Sequence, residues 1–369
     1  MISAETVPEN APLRSVYTSN LAQLLSQNKF ALAVSTYQAG KVILIRAENN
    51  QLNTHFRHFN RPMGLAANAT RMAIGEAYQL VELYNMPVVA AQLKPVDKHD
   101  ACYIPRNIHF TGDIDIHEMA WASEELWIVN TRFSCLCTLE NAYSFIPRWR
   151  PPFISGLAAE DRCHLNGLAI VNQRPKYVTA LGATNTPQGW RSHKAVGGIL
   201  MDVENNEVVC QGLSMPHSPR YYAGQLWVLE SGNGSVATVD LKTGQLTTVV
   251  ELPGFTRGID FYGPLAFVGL SQVRESAVFS GIPLTDRLKE RTCGIWVIHI
   301  ETGEIIGFLR FEDAVQEIFS IAVLPQICFP EILEGDEKTL ASSYALPDEV
   351  LSEVESQGHQ SNPLPPIKE

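Results

Sequence analysis

Apolar residues in this chain come in short runs rich in Val, Ile, Leu and Trp, each closed by a polar turn, and helical periodicity is scarce outside the two ends. That pattern predicts an all-β architecture. Four runs share one layout of strand, polar turn and second strand: LAVSTYQAGKVILI (32–45), MAIGEAYQLVELYN (72–85), LWIVNTRFSCLCTL (126–139) and LWVLESGNGSVATV (226–239). Two more, YVTALGATNTPQGW (177–190) and LAFVGLSQVRES (265–276), begin the same way and run into longer insertions.

A second repeated unit precedes five of these runs. RPMGLAAN (61–68), DIHEMAWA (115–122), HLNGLAIV (164–171), MPHSPRYY (215–222) and FTRGIDFY (255–262) align without gaps, and EIFSIAVL (317–324) is a sixth copy. Their third columns recur at intervals of 40 to 62 residues, close to the length of a four-stranded propeller blade. DLKTGQLTTVVEL and HIETGEIIGFLRF then read as a third strand, a Thr-Gly turn and a fourth strand. The sixth inner strand lies near the C-terminus, whereas the orphan run at 32–45 and NTHFRHF (53–59) supply three further strands from the N-terminus. A six-bladed β-propeller over residues 28–333 is therefore expected, closed by N-terminal strands pairing with a C-terminal inner strand, which leaves no open edge at the seam. ICFPEIL (327–333) competes for the second-strand place, but its Pro330 weakens that claim. Residues 1–27 are an N-terminal extension with a short helix, NLAQLLSQN, and 334–369 an acidic, proline-containing tail with a helix candidate, LPDEVLSEVES.

Composition narrows the partners. The 369 residues carry a net charge of −11, so neither nucleic acid nor an anionic membrane surface is an expected partner. No apolar run is long enough to span a bilayer, and the N-terminus lacks the basic and apolar regions of a signal peptide, so a cytoplasmic location is expected. Seven cysteines without a C-x-x-C spacing read as small buried thiols rather than a disulfide framework or zinc knuckle.

In a propeller the start of each inner strand and the turn between second and third strands surround the same end of the channel. The aligned third column reads Met63, His117, Asn166, His217, Arg257 and Phe319, so four consecutive blades present a polar group near the axis. Glu118 follows in the next column, Asp115, His164 and Glu317 stand in the first, and the turns add Tyr37, Asn130, Arg132 and Glu230. Two schemes fit. In one, His117, His217 and Asn166 or Glu118 hold a divalent ion, zinc or another transition metal rather than calcium, with an open position for water or substrate. In the other, the two histidines act as general base and acid, and Arg257 stabilises an oxyanion or binds a carboxylate. Ser218 is a conceivable nucleophile. The remaining histidines, His55 and His99 among them, read as structural, and Trp127 and Trp227 as packing between blades. Insertions at 140–163, 185–197 and 271–293, with Trp149, Trp190, Arg191, Arg274 and Arg287, are expected over the same face as a lid or pocket.

On the HLNGLA and MPHSPR units the chain resembles a family of bacterial proteins classified as a domain of unknown function. The six-bladed plan is also similar to the gluconolactonase and strictosidine-synthase-like propellers, in which acidic and asparagine side chains hold a metal for lactone or ester chemistry. Asn166 and Glu118 would correspond to such ligands, whereas His117, His217 and Arg257 depart from that pattern. The function expected is an enzyme at the channel mouth, with His117, His217, Arg257 and Glu118 catalytic, acting on a small or peptide-borne substrate by hydrolase, lyase or isomerase chemistry. The alternative is a non-catalytic propeller that binds a small ligand or a protein partner on that face, anchored by Trp149, Arg274 and Arg287.

Overall fold

A computed structural model describes residues 13–273, 280–333, 337–347 and 349–350. Six small antiparallel sheets stand in a ring, each with its innermost strand beside that of the next blade and the sixth beside the first. The innermost strands are Leu65–Ala67, Ile116–Ala122, Leu165–Val171, Pro216–Tyr222, Phe255–Tyr262 and Ser320–Pro325, in blades one to six. In blade six the chain ends meet: Ser320–Pro325 pairs antiparallel with Phe30–Thr36, and Lys41–Glu48 and Gln51–His58 complete the sheet. Apolar faces of adjacent blades supply the core. Trp227 of blade four is buried against Phe261 of blade five, and Trp127 of blade two packs on blade three.

A polar bond also crosses each seam beside the axis. Gly64 N donates to Ile116 O at 3.0 Å, Thr131 Oγ1 to Leu165 O at 2.5 Å and Asn166 Nδ2 to Pro216 O at 3.0 Å. Ser231 Oγ donates to Thr256 O at 2.5 Å, Ser271 Oγ to Ile318 O at 3.0 Å and Ser35 Oγ to Met63 O at 2.5 Å. Each joins one blade to the carbonyl at the start of the next inner strand, satisfying buried groups that would otherwise be left without water.

Both ends of the propeller chain add to its rim. Ser15–Tyr17 pairs with Ile305–Phe311 as a fifth strand of blade five, and the helix Asn20–Asn28, which matches the expected NLAQLLSQN, buries Leu21 and Leu25 against blades five and six. ICFPEIL does not take the second-strand place of blade six. Pro330–Ile332 instead runs parallel to Ala101–Tyr103 on the outer edge of blade one, where an edge strand tolerates a proline. This segment is held by charge. The buried Glu331 accepts from His55 Nε2 at 2.9 Å and Arg57 Nη2 at 2.7 Å, both on blade six, and the Arg46 guanidinium lies 3.8 Å above the Phe329 ring. Asp100 of blade one accepts the Cys328 and Phe329 amides at 2.6 and 2.9 Å.

The insertion expected at 140–163 begins as structure: Tyr143–Trp149 is the outermost strand of blade two, and only the remainder is a loop. Cys102, Cys135, Cys137, Cys163, Cys210 and Cys293 are buried free thiols. Burial pushes the thiols of Cys102, Cys135 and Cys163 up to about 12, far from thiolate reactivity. No described helix is long and apolar enough to cross a membrane. Residues Gly335–Glu369 form a second unit whose described part contains the helix Glu337–Ser342. The helix expected over 346–356 falls largely outside the described residues.

Candidate functional site at the channel mouth

The ring is not uniform at its mouth. Blades two to five carry a β-bulge where the inner strand begins: His117 is the extra residue between the Ile116 and Glu118 pairings, Asn166 that between Leu165 and Gly167. Ser218–Pro219 in blade four and Arg257–Gly258 in blade five oppose single residues of the second strand. Such insertions bend a strand and re-aim its side chains. Two residues upstream, Asp115, His164 and Met215 have φ of 57°, 51° and 46°, a left-handed conformation that costs an L-residue about 1 kcal/mol or more. In blades two and four this turn aims the upstream carbonyl at the ring: His117 Nδ1 donates to Asp115 O at 3.2 Å, and His217 Nδ1 to Met215 O at 2.9 Å.

Hydrogen-bond chemistry then fixes the tautomers. A carbonyl can only accept, so Nδ1 of His117 and of His217 carries the proton. His217 Nδ1 also lies 2.8 Å from Ser231 Oγ, whose own proton goes to Thr256 O, so this oxygen accepts too. Burial pushes both imidazoles well below their ordinary pKa, with the Arg257 charge acting in the same direction, and both are neutral. Neither Nε2 has a hydrogen-bond partner among the described residues, and each presents a lone pair.

His164 joins them. Its Nδ1 sits 3.0 and 3.1 Å from the two carboxylate oxygens of Asp161, which also accepts Trp190 Nε1–H at 3.0 Å. A continuous stack of rings results. The Arg257 guanidinium lies 3.6 Å above Phe319, Phe319 is 5.3 Å edge-on to His117, His117 is 4.6 Å edge-on to His164, and His164 is 4.5 Å from Trp190. Arg191 caps the far end at 5.1 Å from the Trp190 ring. Tyr37 contacts Phe319 edge-on at 5.6 Å, and its hydroxyl bonds to Glu317; burial, followed by Glu317, raises its pKa. His117, His164, His217, Arg257 and Tyr37 are thus brought together. Sequence reasoning missed Asp161, although the D-x-x-H spacing in EDRCH directly before an inner strand was the available signal.

The other expected residues lie elsewhere or are occupied. Glu118 pairs with Arg220 at 2.5 Å across the channel, a buried ion pair that forms part of its lining. Asn166 is held in the seam by both amide atoms, Oδ1 accepting from Thr179 Oγ1 at 2.7 Å and Nδ2 donating to Pro216 O. Among the described residues no group of three His, Cys, Asp or Glu side chains is arranged to hold a metal. Asn130 caps its own turn through the Phe133 amide, and Glu230 accepts from Ser214 N and Asn233 Nδ2. Arg132 pairs with Asp113. Ser218 Oγ accepts from Gly258 N at 3.2 Å between two blades, away from the imidazoles. Trp149 sits on the outermost strand of blade two, donating to Asn206 at 2.8 Å, and Arg287 bonds the Asn233 carbonyl in the turn between the second and third strands of blade four, and the Leu252 carbonyl. Arg274 lies outside the described residues.

A family model described as "Domain of unknown function (DUF4915)" matches residues 19–333. No curated protein matches the chain. Among solved structures it is similar to a nidogen/laminin complex chain, with a TM-score of 0.50 at 9% identity over 81% of this chain and 100% of that one. It is also similar to a catalytically inactive virginiamycin B lyase from Staphylococcus aureus with quinupristin, with a TM-score of 0.40 at 10% identity over 82% of this chain and 99% of that one. At that identity the first of these shows the propeller fold alone.

Proposed function

Because the chain belongs to the DUF4915 family, which is defined by its domain and not by a reaction, the site itself has to supply the reading, and we propose an enzyme that performs acid–base chemistry at the channel mouth. One observation carries it: Asp161 grips His164 through Nδ1, which leaves Nε2 uncommitted among the described residues, and a second imidazole, that of His117, stands edge-on with its ring centre 4.6 Å away. A carboxylate behind an imidazole fixes its tautomer and stabilises the cation formed when Nε2 takes a proton. His164 is the general base in this reading. His117 and His217, held neutral, accept hydrogen bonds from the substrate and position it, and Arg257 stabilises negative charge as it develops. Glu118 acts through Arg220, holding the channel lining beneath the site. The chemistry belongs to the hydrolase, lyase or isomerase classes, whose shared step is removal of a proton by a base.

Incubating the protein with a library of small metabolites in D2O, followed by proton NMR, reads out both conversion and deuterium incorporation. Turnover is expected to fall about 100-fold or more in His164→Ala, and by a smaller factor in Asp161→Asn, which keeps the shape but not the charge. A substrate converted at full rate by His164→Ala, His117→Ala and His217→Ala proteins that remain folded would refute the reading.

A further inference from the structure

Among the described residues the mouth carries, next to its imidazoles, a cation with unused donors, Arg257, together with several acceptors with unused lone pairs. The Arg257 guanidinium carbon lies over the Phe319 ring, 3.6 Å from its centre, and the guanidinium donates no hydrogen bond to any described residue. Arg57 and Arg220, also partly buried, behave differently: Arg57 bonds the Glu331 carboxylate and the Ile332 carbonyl, and Arg220 bonds Glu118 and the Pro219 carbonyl. The Arg257 side chain is partly exposed, so its N–H groups are open to a ligand entering the mouth. Stacking covers its face and leaves its edge open, and the edge is the part that grips a planar two-oxygen anion with paired bonds. The neighbours add the second half of the specification. Nδ1 of His117 and His217 is tied to a backbone carbonyl, so these two neutral rings offer Nε2 as an acceptor, and Nδ1 of His164 is tied to a carboxylate, which leaves its Nε2 for the ligand.

We infer that the mouth binds a small hydroxycarboxylate, with its carboxylate on the edge of Arg257 and its hydroxyl donating to the imidazole Nε2 lone pairs. This assignment of substrate class rests on the reading of the mouth as a reaction site. A carboxylate is favoured over a phosphate because its two oxygens are satisfied by one guanidinium edge, whereas the further oxygens of a phosphate would meet lone pairs on the imidazoles. The hydroxyl, and not a second acceptor, completes the match.

Isothermal titration of the full chain with lactate, propanoate, lactamide and inorganic phosphate tests each part. Lactate is expected to bind about 10-fold more tightly than propanoate, which lacks the hydroxyl, and at least about 10-fold more tightly than lactamide, which lacks the charge. Arg257→Gln should remove the preference for lactate over lactamide, and Arg257→Lys should restore part of it. The assignment is overturned if lactamide or propanoate binds as well as lactate, if phosphate displaces lactate at equal concentration, or if none of the four binds. The comparison among ligands needs no variant and so stands even if Arg257→Gln fails to fold. Lactate binding with no hydroxycarboxylate ever turned over would sink the catalytic reading and leave the ligand class intact. Turnover of an uncharged substrate that depends on His164 would do the reverse.

Discussion

Neutralising Glu331 by Glu331→Gln should unlatch the C-terminal strand from blade six. Burial alone would raise the pKa of this carboxyl, but the hydrogen bond and charge of His55, with the charge of Arg57, outweigh it and hold it at about 2 against an ordinary 4.5. At 1.36 kcal/mol per unit, that depression is equivalent to about 3 kcal/mol of folding stability. The side chain is only 9% exposed, so solvent screening removes little of it. The sign is that of a carboxylate whose native pKa lies below its unfolded one: the stabilisation is complete above about pH 4.5 and disappears as the pH falls through about 2. Urea unfolding midpoints for the wild type and Glu331→Gln at pH 7, 4 and 3 give the assay. At pH 7 the variant should be less stable by about 3 kcal/mol, and the gap should narrow as the pH falls from 4 to 3. A gap that stays constant with pH would refute the reasoning, because it would assign the loss to packing and not to ionisation.

Other perturbations test the site and its support. Arg220→Met alone leaves Glu118 buried without its partner and should cost about 3 kcal/mol, whereas the double variant with Glu118→Met should lose much less than the sum of the two single changes in denaturant titrations. Histidine side-chain nitrogen NMR should find His117 and His217 uncharged, with the proton on Nδ1, below pH 6.5 as well as at neutrality; a cationic spectrum at pH 6 would contradict their burial. Ser231→Ala removes one acceptor of His217 and the bond to Thr256 O, so a loss of about 1–3 kcal/mol in unfolding free energy is expected, together with a shifted His217 nitrogen resonance. Trp227→Ala opens a cavity between blades four and five and should cost about 3–5 kcal/mol by the same unfolding measurement, with the mouth histidine signals unmoved.

The fold was legible because blades repeat. Six copies of an inner-strand unit, and an orphan triplet of strands at the opposite end of the chain, leave few arrangements other than a closed ring. What the repeats could not express is pairing at single residues. Asn166 and His217 stand in the same column, yet the amide of one is bonded into the seam while the Nε2 of the other remains open, and hydrophobic periodicity does not distinguish them. Bulges are equally silent in sequence: whether His117 or Glu118 keeps the ladder depends on the partner strand. The segment 140–163 reads as an insertion because it falls between two aligned units, yet it begins with the outermost strand of blade two, where an edge position tolerates Pro147 because a missing N–H on its open side does no harm. Asp161 lies in the loop before an inner strand, outside every aligned column, and only folding brings it to His164.

The bulges in blades two to five have one more consequence. Six similar units around an axis would present a mouth with no preferred side. Here the arc from blade two to blade five holds imidazoles and a guanidinium in the marker column, while the adjoining blades six and one place the apolar Phe319 and Met63 there. On the acid–base reading proposed above, a flat molecule lodged in such a lopsided mouth would expose a single face to the bases. A prochiral carbon in it would then exchange its proton with one handedness, and broken rotational symmetry in the protein would become stereochemistry in the product.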